Sequence, residues 1–196
     1  MYPALLDESQ ALTGYIDEML DGIRNSAHGL TEEQGRSRPC RSGLSITGII
    51  KHATWVMRQQ LPADQDEGSD AEPGFAARAA EFMGSFTPAE DETLARLLAA
   101  FDQVRPGYLT AIRAMDPAAE VTVGPKPWDD QPEPVQATQR MLLVHHVDEF
   151  ARHAGHADII REQIDGAQAM PLLFAVQGRA GNAFIKPWTP EQAQAD

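Results

Sequence analysis

The sequence predicts an all-α protein organised as a four-helix bundle. Three observations lead there. Long segments carry apolar residues at helical spacing, two short links and one long polar crossover join them, and neither repeated strands nor a strand-helix-strand alternation appears.

The first segment sets Leu5, Leu12, Ile16, Met19, Leu20 and Ile23 among Asp7, Glu8, Asp17 and Glu18, which makes residues 3–27 an amphipathic helix with Pro3 in its first turn. Thr31 and Gln34 have capping-box spacing, but Gly35 and Pro39 allow only a short helical turn before a loop. Ser45 is the N-cap of the next helix, ITGIIKHATWVMRQQL, which ends near Leu61 and Pro62. The stretch that follows, PADQDEGSDAEPGF, is polar enough to be a crossover, with a short amphipathic piece at residues 76–83. Thr87 and Pro88 mark the start of a third long helix, whose stripe runs from Leu94 through Phe101, Tyr108 and Ile112 to Met115. The prolines of VTVGPKPWDDQPEP make it mainly a loop with a few extended residues. Residues 135–165 then form the fourth helix, closed by Gly166. The bundle is expected over residues 1–166, with 167–196 an extension that packs on it or on a partner and holds a short PLLFAV helix.

Composition narrows the function classes. With 16 Lys plus Arg against 29 Asp plus Glu, the net charge of −13 repels nucleic-acid phosphates and anionic lipids. No window approaches the roughly 20 apolar residues of a membrane span, and MYPALLDESQ has no signal-peptide pattern, so a soluble cytoplasmic protein is expected. Cys40 stands alone, which excludes an internal disulfide; beside Arg36, Arg38 and Arg41 it reads as a loop residue rather than a reactive thiol. A homodimer through a spare apolar face is also expected.

Chemistry concentrates in HHVDEFARHAGHAD, residues 145–158, which hold four of the six histidines. At about 100° per residue, His145, Glu149, His153 and His156 share an arc of about 80° with Leu142 and Ile160, so polar groups interrupt an apolar face. Leaving such groups unpaired in a core costs about 1–3 kcal/mol each, and either a metal ion or a buried hydrogen-bond network would satisfy them. Both His145/Glu149 and Glu149/His153 have the i, i+4 spacing that lets two ligands converge on one ion, and spacing alone does not choose between them. His52 shares a face with Ile49 and Val56 and is the natural further ligand. His146 falls off the stripe, toward solvent, and His28 beside Gly29 suits a cationic cap on the first helix. No Glu-x-x-His occurs, which speaks against a di-iron bundle.

These residues resemble the DinB-like superfamily, whose members are four-helix bundles of up-down-down-up course with a long crossover between helices 2 and 3. Members carry one His in the second helix and two ligands four apart in the fourth, the second of them often opening His-Arg-Gly-Gln, where this chain has His153-Ala154-Gly155-His156. The resemblance covers about residues 4–166 and is most specific in EFARHAGHADIIREQIDG. It implies His52, Glu149 and His153 as the metal ligands, with Glu149 where many members have His. Mycothiol-dependent maleylpyruvate isomerases, relatives in the superfamily, also use a His, Glu, His set, and the present sequence looks closer still to an uncharacterised bacterial branch.

Two imidazoles and one carboxylate suit a divalent metal, zinc first, with nickel, iron or manganese as alternatives. Three protein ligands leave a position open for water or substrate. The resemblance thus implies a metal-dependent thiol transferase or isomerase acting on a small-molecule substrate with a thiol such as mycothiol or bacillithiol. His145 or His156 would serve as general base. Arg152 would hold an anionic group, or else pair with Asp148. The competing expectation is a non-catalytic metal- or ligand-binding protein acting through a partner, for which the exposed-looking Trp128 and Trp188 speak.

Overall fold

A computed structural model describes residues 6–61, 75–124 and 133–190. Among them the secondary structure is seven helices and one two-stranded sheet. Pro3, Leu5, Pro62 and Trp128 lie outside the described residues.

Helix α1, Glu8–Asn25, starts where the Asp7 carboxylate accepts the Gln10 N–H at 2.7 Å. The expected capping box is formed: the Thr31 hydroxyl accepts the Gln34 N–H while the Gln34 side chain accepts the Thr31 N–H, opening the short helix α2, Glu32–Arg36. Ser45 caps α3, Ile46–Arg58, through the Gly48 N–H. The short amphipathic piece of the crossover becomes α4, Phe75–Ser85.

Helix α5, Leu94–Arg113, begins later than Thr87 and Pro88 suggest, with Thr93 as its cap. The reason is local competition for polar groups. The Glu92 carboxylate turns back to the Ala89 N–H and to Lys51, and Glu32 of α2 takes the Leu94 N–H at 2.6 Å, so residues 88–93 close as a turn before the helix starts.

The fourth long helix is also shorter than expected. Residues 135–138 are strand β2, Val135–Thr138, paired antiparallel with β1, Glu120–Val123, and α6 spans Gln139–Asp165. Alternating β-branched residues in VTV match the ladder better than a helix, and the pairing partner lies too far off in sequence for local pattern to show it. Gly166, at φ +71°, ends α6 in the left-handed conformation. A last helix, α7, covers Ala169–Val176.

Helix α1 packs most extensively on α6, and α3 on α5. Arg140 bridges to Glu8 at one end of the α1/α6 pair and Arg161 reaches the Ser26 carbonyl at the other, so these helices run in the same direction. Ile16, Leu20, Ile49, Ile50, Phe101, Ile112, Leu143 and Phe150 are all fully buried in one apolar core. Arg24 with Asp102, and Arg105 with Asp17 and Asp21, join the outer edges of α1 and α5. No helix among the described residues is long and apolar enough to cross a membrane.

Trp188 is not exposed. It is 6% accessible, with its ring against Gly29 and its face 4.9 Å from the Arg161 guanidinium carbon. Gly29 is needed there on two counts: its φ is +73°, and a Cβ would fall 2.6 Å from the indole. Arg161, fully buried, is satisfied by both oxygens of Asp165 and by the carbonyls of Ser26 and His28. His28 is therefore no cationic cap. It lies beyond the end of α1, and partial burial, then the charges of Arg161 and Arg24, push its pKa down.

Candidate metal centre

The side chain that organises the site is His52, in the middle of α3 and 1% accessible. Phe86 stacks on its imidazole with ring centroids 3.8 Å apart, Trp55 lies parallel at 5.8 Å, and Phe82 meets it edge-on at 5.6 Å. Gly48, one turn before His52, permits this closure, because a Cβ there would sit 2.5 Å from the Phe86 carbonyl oxygen. Burial in that aromatic box holds the His52 pKa below the ordinary histidine value and keeps the ring neutral.

Ser85, at the end of α4, sets the tautomer. Its hydroxyl donates to the Phe82 carbonyl at 2.5 Å, which leaves its oxygen to accept from His52 Nδ1 at 2.7 Å. The neutral ring then carries its proton on Nδ1 and presents the Nε2 lone pair to Glu149 Oε1, 2.8 Å away. A lone pair facing a carboxylate oxygen at that distance is unfavourable unless a proton or a metal cation lies between them.

Glu149 and His153 come from successive turns of α6, with His153 Nε2 3.2 Å from the same Oε1. The hydrogen bond from His153 holds the Glu149 carboxyl below the usual carboxylate range, against the opposing effect of burial. His52, Glu149 and His153 each offer a ligand atom, all within 4.8 Å of one another. The residues fit a cation on three counts: the donor set is two imidazoles and a carboxylate, the His52 lone pair faces an anion, and His153 Nδ1 is buried without a hydrogen-bond partner among the described residues.

The other candidate residues lie around this cluster rather than in it. His156 is exposed, its ring 5.8 Å from that of His153, and partial burial beside His153 and Arg152 lowers its pKa. His145 is half-buried, its ring 6.1 Å from that of His146. Arg152 is exposed, and no ion pair between it and Asp148 forms among the described residues. Cys40 is partly buried against the core.

His146 departs from expectation. It is 4% accessible, and its Nδ1 lies 2.9 Å from the hydroxyl of buried Tyr108. The face that α6 turns to the core is centred on Leu143, His146, Phe150 and Ala157, so the stripe from His145 to His156 forms the rim of that face. Counting apolar positions misplaced the centre because two polar residues, His146 and Arg161, occupy core positions with their own partners. Sequence reasoning also missed Ser85 and the wall of Trp55, Phe82 and Phe86. The one local signal for them was the aromatic spacing in EFMGSF, at the end of the crossover.

A mainly helical chain with a His/Glu/His cluster where two helices meet is of the DinB-like class. The chain belongs to the mycothiol S-transferase family, whose model matches residues 11–166. Comparison with curated proteins and with solved structures yields no match.

Proposed function

We propose that this protein is a metal-dependent thiol S-transferase or isomerase, in which His52, Glu149 and His153 hold a divalent cation, zinc by preference of the donor set. The observation that carries the reading is the His52 lone pair held by Ser85 against Glu149 at 2.8 Å, within a family named for a thiol transfer. When bound, such a cation lowers the pKa of a coordinated thiol so that the thiolate predominates near neutrality. The thiol would come from a small molecule of the mycothiol type, since the single cysteine, Cys40, is packed against the core and is not part of the cluster.

The chain's own residues would divide the remaining work. Ser85 and the aromatic box orient His52 and keep water from its buried side. Glu149 supplies the negative charge that offsets the cation. His156, exposed beside His153 with a depressed pKa, is neutral near pH 7 and suited to accept the thiol proton; His145 lies one turn before Glu149 on the same rim. Arg152 is free of an ion pair with Asp148 and is available for an anionic group of the substrate.

We also read the helical course as an up-down-down-up bundle over residues 1–166, with 167–196 as an appended segment. Supporting it, α1 and α6 run together, while Arg24 with Asp102 and Arg113 with Asp17 set α5 against α1.

The test is elemental analysis of the purified protein, followed by a transfer assay with mycothiol and a fluorogenic electrophile, with and without chelator. The expected result is one equivalent of metal, turnover that chelation abolishes, and loss of both metal and turnover in His153→Ala. Protein without metal affinity would overturn the reading. Bound metal with no turnover on any thiol would favour a non-catalytic binding protein.

A further inference from the structure

A cleft of about 470 Å³ opens between α1, α6 and α7, on a different face of α6 from the His/Glu/His cluster. That volume lies within the usual range for a small-ligand site. Two of its walls belong to the family-matched region, but the third, from Ala169 to Arg179, lies beyond residue 166 where the match ends. The cleft is therefore a property of this chain's extension as much as of the family fold.

Two polar groups face the cleft without partners among the described residues. Asn25, at the end of α1, is 7% accessible, and its side-chain amide makes no hydrogen bond among the described residues. Asp158, on α6, is half-buried and has no hydrogen bond or ion pair among the described residues; burial and then Glu162 raise its pKa, the mark of a carboxylate short of compensating charge.

The two stand at the same level of the fold. Helices α1 and α6 run in the same direction, and a Cβ at Gly22 would touch the Ala154 Cβ at 3.4 Å. Asn25 is three residues beyond Gly22 and Asp158 four beyond Ala154, so each lies one turn past that contact.

The remaining lining defines the ligand. Glu18 and Asp21 add negative charge, the latter already paired with Arg105 at 2.7 Å, and Arg179 is the one positive group among the described lining residues. Met19, Leu172 and Leu173 supply apolar surface. A bare divalent cation does not suit the site: among the described residues only His52, Glu149 and His153 converge closely enough to form a three-ligand cluster. The excess of acid over base excludes an organic anion.

We propose that this cleft is a second ligand site for a small organic monocation, a primary alkylammonium whose charged end is held by Asp158 and the Asn25 carbonyl oxygen and whose chain lies on Met19, Leu172 and Leu173. The proposal does not depend on the metal centre.

The experiment uses the full chain in the presence of chelator, so that an amine cannot register by binding metal. Hexylammonium, hexanol and hexanoate are titrated by calorimetry and by amide chemical shifts. The expected result is saturable one-to-one binding of hexylammonium, at least tenfold tighter than hexanol, with no binding of hexanoate and shifts centred on Leu172 and Leu173. Asp158→Asn should weaken hexylammonium at least tenfold and Asn25→Ala severalfold, while His153→Ala leaves it unchanged. Equal binding of hexylammonium and hexanol, no saturable binding of hexylammonium, or full affinity in Asp158→Asn would each overturn the proposal. Should a variant fail to fold, the discrimination among the three probes by the unmodified chain, together with the location of the shifts, decides alone.

Discussion

At the scale of single residues, the candidate site depends on a proton whose position Ser85 determines. Because the Ser85 hydroxyl is committed to the Phe82 carbonyl, it can only accept from His52, and His52 Nε2 is left as a lone pair. Ser85→Ala removes that acceptor and frees the imidazole to choose either tautomer. Zinc affinity, measured by competition with a chromophoric chelator, is expected to fall by about 10–100-fold while the helical circular dichroism is unchanged. Glu149 gives a pH-dependent counterpart. Its folded pKa is depressed from an ordinary value of 4.5, so its contribution is fully present above that value and is lost as pH falls toward the folded pKa. Glu149→Gln in metal-free protein should therefore cost about 1.5–3 kcal/mol at neutral pH in urea denaturation, from the lost hydrogen bond between His153 and a charged group. The deficit should narrow as both proteins are taken from roughly pH 5 to pH 3.

Among the elements, α3 and α6 carry the three clustered residues, but α4 and the turn after it decide their environment. Phe82, Ser85 and Phe86 all come from this short stretch, and Gly48 is the point where its backbone passes over α3. Gly48→Ala places a Cβ against a backbone carbonyl that cannot swing aside as a side chain would. The helix itself would gain from the change by up to about 1 kcal/mol. A net loss of stability, with weakened metal binding, is the expected outcome in thermal melts and chelator competition, since Phe86 must lift from His52. A neutral or stabilised Gly48→Ala protein would show that the aromatic box does not depend on this close approach. The helix positions were legible because α1, α3 and α5 each present an apolar stripe and begin with a side-chain cap, and α6 carries helical spacing despite the polar residues on its core face. The starts of α5 and α6 were not, because Glu32 and strand β1, distant in sequence, capture the groups that would have continued each helix.

For the whole molecule, the junction of Gly29, Arg161 and Trp188 ties the end of α1 to α6 and to the chain after α7. The Trp188 indole covers a fully buried guanidinium whose other faces are filled by Asp165, Ser26 and His28. Trp188→Ala opens a cavity beside that charge, at a cost of about 3–5 kcal/mol. For a chain of this length each kcal/mol corresponds to about 2–4 °C, so calorimetry should show a melting temperature lower by at least roughly 6 °C. A smaller shift would mean that the final segment is docked by α7 alone. The same junction holds α7 in place as the third wall of the cleft beside Asp158.

The sequence by itself determined where the long helices lie, that the chain carries a strong net negative charge, and that a His and a Glu four residues apart on one helix could meet a His from another. Those conclusions follow from periodicity, net charge and spacing, which are local or additive properties of the chain. Only the tertiary structure decided that His146 belongs to the core, because Tyr108, 38 residues away, supplies its hydrogen bond. Only packing made Trp188 a buried residue and gave His52 an aromatic box and a serine partner. The physical reason is the same in each case. A polar or aromatic side chain is placed by the partner that satisfies or covers it, and here that partner comes from another element brought alongside when the core closes.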